Sequence, residues 1–147
     1  MNKKSQNIQK WVSHSAVETK QIGRKLAKEL LPGHVVALYG NLGTGKTTMV
    51  KGIAEGVGVK SGGEVASPTF VVIHEYLGKL KIYHLDWYRL KKIVGVDALM
   101  AEECLYSDGV TLVEWPERGE MLLPPHHWVV RISHKDPSTR LIEVSKK

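Results

Sequence analysis

Gly40-Asn41-Leu42-Gly43-Thr44-Gly45-Lys46-Thr47-Thr48 is the stretch that decides how this chain is read. Its spacing fits G-x-x-x-x-G-K-[ST], a loop whose backbone N–H groups wrap a phosphate. Ahead of it stands an apolar run, His34-Val35-Val36-Ala37-Leu38-Tyr39, long enough for one buried strand. Behind it Met49, Val50, Ile53, Ala54 and Val57 recur at helical spacing. A glycine-rich turn that merely ends a strand has no reason to place Lys-Thr at a helix start. Gly40, Gly43 and Gly45 are read as positions that open backbone conformations closed to other residues. The helix that follows adds a dipole end worth about half a positive charge. Lys46 is expected to reach the outer phosphates of a nucleoside triphosphate, and the Thr47 hydroxyl to ligate Mg²⁺.

Length and composition narrow the setting. The 147 residues suit one domain, 1–147, large enough to bury a core without metal or disulfide staples, with 1–8 expected as a flexible tail. The single cysteine, Cys104, has no partner for an internal bridge and suits a reducing cytoplasm. It is expected on the buried side of a helix rather than as a nucleophile. No apolar run approaches membrane-spanning length, and Met1-Asn2-Lys3-Lys4-Ser5-Gln6 lacks a signal peptide's apolar region, so a cytosolic protein with no membrane partner is expected. The net charge of +6 favours anionic company, nucleotide phosphates or an RNA-handling complex, but the basic residues are spread along the chain.

The coarse element order follows from punctuation and period. Gln9 to Ser13 reads as a short strand. Ser15 with Glu18 is a capping-box pattern, and Ile22, Leu26, Ala27 and Leu30 form the stripe of a helix from Ala16 to Leu31, stopped by Pro32-Gly33. The helix after the phosphate loop is expected to end near Gly56-Val57-Gly58, with a glycine-rich loop from Gly56 to Gly63. A strand from Thr69 to Tyr76 turns at Gly78-Lys79 into Leu80–Asp86, a hairpin that implies a mixed sheet. Asp97 reads as the cap of a helix over Ala98–Leu105, and Val110–Glu114 as a buried strand ending in an acid. His127–Ile132 and Thr139–Val144 complete the set as two late strands. The fold class expected is α/β: a small P-loop fold with a mixed, mostly parallel sheet flanked by helices.

Nucleotide hydrolysis also needs an acid at the end of a neighbouring strand, to hold Mg²⁺ or its water. Glu114 fits that place best. Asp86 ends another strand and shares a face with His84, so it is read as a second acid near the γ-phosphate, able to orient water; a turn cap is its structural alternative. In His84-Leu85-Asp86-Trp87-Tyr88-Arg89, Arg89 is placed to pair with Asp86, to touch phosphate or to hold a partner, and the residues leave these open. Ser67-Pro68-Thr69-Phe70 is either a γ-phosphate sensor, with a hydroxyl that completes the Mg²⁺ shell, or a plain strand-initiating turn. One cysteine and the His126-His127 pair make no zinc set.

In order along the chain, the phosphate loop, Ser67-Pro68-Thr69-Phe70, His84-Leu85-Asp86-Trp87-Tyr88-Arg89-Leu90 and Val113-Glu114-Trp115-Pro116-Glu117 form a more specific set than any one of them. This set resembles the bacterial TsaE (YjeE) family, the ATPases of tRNA threonylcarbamoyladenosine formation, and the similarity spans nearly the whole chain. The resemblance implies ATP and Mg²⁺ as cofactors and TsaB and TsaD as partners, with tRNA reached through that complex. It further implies modification of tRNAs that read codons beginning with A, and ATP hydrolysis that resets the complex between cycles. By resemblance Lys46 and Thr47 are the phosphate and Mg²⁺ residues, Glu114 the metal-side acid, Asp86 the essential aspartate and Thr69 the switch threonine. Trp115 matches a tryptophan beside that acid, near the nucleotide or the partner surface. Asn41 stands where the family usually has Asp, and Met49 where Phe is frequent.

Two other readings stand beside this one. A small-molecule or protein kinase would share the P-loop but usually carries an arginine-rich lid, which this chain does not show. A nucleic-acid-binding module with a vestigial P-loop is permitted by the charge, though the aromatics form no stacking platform.

Overall fold

The computed structural model describes residues 8–60, 64–66 and 72–147, with 64–66 and 72 described by backbone alone. The tail expected over 1–8, apart from Ile8, and the whole Ser67-Pro68-Thr69-Phe70 segment lie outside these residues. In chain order the elements are β1 (Gln9–Ser13), α1 (Ala16–Ala27), β2 (Val35–Tyr39), α2 (Lys46–Gly56), β3 (Glu64–Ala66), β4 (Val72–Tyr76), β5 (Ile82–Asp86), α3 (Val96–Leu105), β6 (Val110–Glu114), β7 (Trp128–Asp136) and β8 (Thr139–Lys146). The strands form one eight-stranded sheet in the order β1-β8-β7-β2-β6-β5-β4-β3. The four central strands, β7, β2, β6 and β5, run parallel. Antiparallel pairs flank them on both sides, so only β4 and β8 run against the common direction. The mixed sheet expected from the hairpin is present.

Side-chain alternation divides the core between the two faces. Val36 and Leu38 of β2 with Leu112 of β6 pack under α1 and α2. Val35, Val113 and Leu85 pack on the opposite face with Ala101, Cys104 and Leu105 of α3. Every residue of β6 is buried, as expected of a parallel strand covered on both sides. Where α1 crosses α2 the backbones touch. A Cβ on Gly52 would overlap the Lys20 backbone, and one on Gly23 would lie 2.7 Å from the Met49 carbonyl oxygen. Lys20 and Arg24 of α1 both pair with Glu55 of α2 across this contact, at 2.9 and 2.6 Å. Cys104 is buried under α3, as its sequence context suggested, and burial pushes its thiol up to about 11.

Several boundaries differ from the sequence reading. The first helix stops at Ala27 rather than Leu31, because Glu29 and Leu30 donate to the carbonyls of Leu26 and Ala27 in tightened turns. Pro32 disfavours helical geometry at Leu31, whose N–H goes instead to His34 Nδ1 at 3.1 Å. Leu30 stays buried, so the apolar stripe outlasts the helix. Asp97 is not a cap: α3 starts at Val96 after Gly95, and Asp97 lies inside its first turn. Ser15 does cap α1, accepting the Glu18 N–H at 3.1 Å, while the Glu18 carboxylate accepts the His14 N–H at 2.7 Å. Strand β3 was not foreseen. Among the described residues, no helix is long and apolar enough to cross a membrane.

Candidate active site

β2 delivers the chain to the C-terminal edge of the parallel strands, and α2 carries it away from there. Between them Gly43 (φ 79°) and Gly45 (φ 107°) take left-handed conformations that turn successive N–H groups inward. Gly40 serves a different purpose from the one expected. Its φ is not positive, but a Cβ there would lie 2.6 Å from Thr44 Oγ1 and 2.7 Å from the Ile132 carbonyl oxygen. Space, not dihedral freedom, calls for glycine at that position. The N-terminus of α2 carries no side-chain cap, unlike that of α1, which leaves its first N–H groups for an anion.

Lys46 is buried, donates to the Gly40 carbonyl oxygen at 2.5 Å and holds its ammonium 3.5 Å from the centre of the Trp115 ring. Burial pulls its pKa below the ordinary lysine value, against the opposing charges of Glu114, Glu117 and Asp86. Glu114 is only 3% exposed. One of its oxygens accepts the Thr47 hydroxyl at 3.0 Å, and the other lies 2.5 Å from His84 Nε2. Burial pushes the Glu114 carboxyl up, but His84, the Thr47 hydroxyl and Lys46 together outweigh it and hold the group below the usual carboxylate range.

Asp86 and Glu114 are register partners at the ends of β5 and β6, which sets the two carboxylates side by side. Asp86 Oδ1 accepts the Tyr88 N–H at 3.0 Å, so the aspartate both caps the turn after β5 and faces the loop. Trp115 (φ 57°) is the only non-glycine with positive φ among the described residues. A left-handed backbone costs a residue with a Cβ about 1–2 kcal/mol. Here it turns the indole toward Lys46 and against Tyr88, whose ring centre is 4.9 Å away.

Leu42, Gly43, Gly45, Lys46, Thr47, Thr48, Asp86, Tyr88, Glu114 and Trp115 line one cavity of about 330 Å³. The remaining loop residues shape it from behind. The Asn41 carbonyl oxygen accepts both the N–H and the hydroxyl of buried Thr44, at 3.3 and 2.9 Å, while the Asn41 side chain is exposed. Met49 is wholly buried in the core under α2, away from the cavity. Arg89 is exposed and makes no ion pair with Asp86 among the described residues. Thr69 lies outside them.

Three contacts were missed in the sequence. For the His84–Glu114 contact the available signal was the face that His84 shares with Asp86. Tyr88 as a stacking partner had no signal of its own. Arg140 had none either. It reaches back from β8 to donate to the Thr44 carbonyl oxygen at 3.0 Å. There it borders a second cavity of about 330 Å³ with His14, Ser15, Thr19 and Thr48, on the other side of the loop.

A phosphate loop opening an uncapped helix, with two acids on the adjoining strand ends, defines a nucleotide-binding protein of the P-loop class. Comparison with known proteins is more specific. A family model, "Threonylcarbamoyl adenosine biosynthesis protein TsaE", matches residues 13–142, and the chain belongs to this family. A tRNA threonylcarbamoyladenosine biosynthesis protein TsaE of Treponema pallidum is 42% identical over 115 residues, 78% of this chain and 84% of that protein. One from Bacillus subtilis is 40% identical over 134 residues, 90% and 82% of the two chains. The crystal structure of Bacillus subtilis YdiB matches with a TM-score of 0.77 at 35% identity, covering 95% of this chain and 86% of that one.

Proposed function

We propose that this chain, working as a single P-loop domain in the cytoplasm, binds Mg²⁺-ATP and hydrolyses it slowly on its own. It acts with TsaB and TsaD in forming threonylcarbamoyladenosine in tRNAs that read codons beginning with A, and hydrolysis resets that cycle. The observation that carries the nucleotide reading is the convergence of Lys46, Thr47, Asp86 and Glu114 on one cavity at an uncapped helix N-terminus. The partners and the tRNA rest on family membership.

The donor set fits both ligands. The inward N–H groups of the loop and the N-terminus of α2 would hold phosphate oxygens. Thr47 and Glu114, 3.0 Å apart, offer the hydroxyl and carboxylate oxygens that suit Mg²⁺. When bound, the metal would neutralise charge on the phosphate oxygens. Lys46 would leave Gly40 and Trp115 for the outer phosphates, and Asp86 would hold the attacking water and take up its proton. The nucleoside would extend past Thr48 into the cavity that Arg140 borders.

Slow turnover has a physical basis. Among the described residues no arginine lines the Lys46–Glu114 cavity. An arginine supplied by a partner is worth about 10³–10⁵ in rate. The test is phosphate release from Mg²⁺-ATP with and without TsaB and TsaD, with Lys46→Ala as control. Release that is slow alone, rises strongly with the partners and disappears in the variant is expected. Fast release by the isolated chain, indifferent to the partners, would overturn the proposal.

A further inference from the structure

The opposite edge of the sheet carries a basic cavity that the nucleotide site does not use. We propose that it is a phosphate-binding site, built where the N-terminal ends of β2 and β7 meet the C-terminal end of β8. Its volume is about 400 Å³, and His34, His126, His127, Trp128, Lys146 and Lys147 make up most of its wall. No acidic side chain is among its lining residues.

Strand register assembles the site. Trp128 pairs with Val36 of β2 on one side and with Lys146 of β8 on the other. That places the Lys146 ammonium 4.4 Å from the centre of the indole ring. The indole N–H donates to His34 Nδ1 at 3.2 Å, and the Leu31 N–H donates to the same nitrogen at 3.1 Å. With Nδ1 occupied as an acceptor, the ring proton sits on Nε2, and Nε2–H is the donor His34 has left to offer. Burial and the nearby Lys146 charge both hold the His34 pKa below its ordinary value, which favours the neutral ring. His127 is fixed in turn, its Nδ1 lying 2.8 Å from the Pro124 carbonyl oxygen.

The result is a neutral N–H donor of fixed direction beside ammonium groups, one of them seated on an aromatic ring. Several converging donors suit a group with several acceptor oxygens and more than one charge, which is a phosphate rather than a lone carboxylate. β2 is five residues long, so the site lies about 17 Å from the nucleotide loop at the strand's other end. It is therefore open to a second ligand while nucleotide is bound. Its source is either an RNA backbone or a small phosphorylated molecule.

The test is NMR of the full chain with its P-loop filled by Mg²⁺-ADP. Inorganic phosphate should shift the Trp128 indole N–H and the His34 ring resonances saturably. Lys146→Gln should weaken that affinity about tenfold, the typical worth of one charge-assisted hydrogen bond, while Lys146→Arg stays within about twofold. Both variants should hydrolyse ATP like the parent. An anticodon stem-loop is the second arm. If it moves the same resonances, with the same loss in Lys146→Gln, the phosphate is that of RNA. If only inorganic phosphate moves them, the ligand is a small phosphorylated molecule. Shifts that fail to saturate, appear equally with chloride, or persist unchanged in Lys146→Gln would overturn the proposal.

Discussion

The Lys46 ammonium rests 3.5 Å from the centre of the Trp115 ring while donating to the Gly40 carbonyl oxygen. A cation held by a carbonyl and an aromatic face gives up both when it turns to phosphate. Nucleotide binding should therefore change the emission of Trp115, and Trp115→Phe should remove that change although three other tryptophans remain. Lys46→Ala should weaken nucleotide binding by tenfold or more, because charge-assisted hydrogen bonds are worth about 1.5–3 kcal/mol. Fluorescence titration with Mg²⁺-ADP reads both. Emission that changes equally in Trp115→Phe would show that Lys46 does not move off the ring.

His84 and Glu114 form the most buried polar pair of the site, with side chains 7% and 4% exposed. Removing the imidazole leaves one carboxylate oxygen of Glu114 without its donor, at a cost of about 1–3 kcal/mol. His84→Ala should lower the melting temperature by several degrees and raise the Mg²⁺ needed for half-maximal nucleotide binding by about tenfold. His84→Gln offers an amide N–H in place of Nε2–H and should recover much of the Mg²⁺ response. A Gln variant no better than Ala would mean that the imidazole matters for packing and not for orienting Glu114.

Asp86 stands in register with Glu114, yet its carboxylate already caps the turn at Tyr88. Asp86→Asn keeps the capping oxygen and loses the proton acceptor. Nucleotide affinity should stay within about threefold, while partner-stimulated hydrolysis falls by 10²-fold or more, the usual loss when a general base is removed. Comparing binding and turnover in the same variant separates the two roles. An equal loss in both would assign Asp86 to the turn alone.

These residues show what the sequence made legible. The strand, loop and helix around Lys46, the buried β6 ending in Glu114, and the shared face of His84 and Asp86 follow from local period and motif, and each stands as read. Contacts made across the sheet were not legible. Nothing near Arg140 signals that β8 returns beside the phosphate loop, because only the strand order brings them together. Nothing in Val113-Glu114-Trp115 signals a left-handed tryptophan. Gly40 was assigned to the right loop for the wrong reason, since crowding by Thr44 and Ile132 comes from tertiary packing. The early start of α3 has a local cause: Gly95 takes a positive φ and begins the helix at Val96, ahead of Asp97.

Cys104 offers a check on the face of the sheet away from the nucleotide. Its thiol is buried under α3 with its pKa pushed up to about 11, against 9.0 for an unperturbed thiol. Between those values the folded chain keeps a proton that the unfolded chain has lost. Stability from this group is therefore complete below pH 9 and declines as pH rises toward 11. Cys104→Ala lacks that proton, so its denaturant midpoint should fall less steeply than the parent's between pH 9 and 10.5. The variant should be less stable overall at pH 7, through the small cavity it leaves. At pH 8 the native thiol should also resist alkylation that proceeds readily in denaturant. Equal slopes for parent and variant, or rapid alkylation of the folded protein, would place Cys104 in a solvated environment and refute its burial beneath α3.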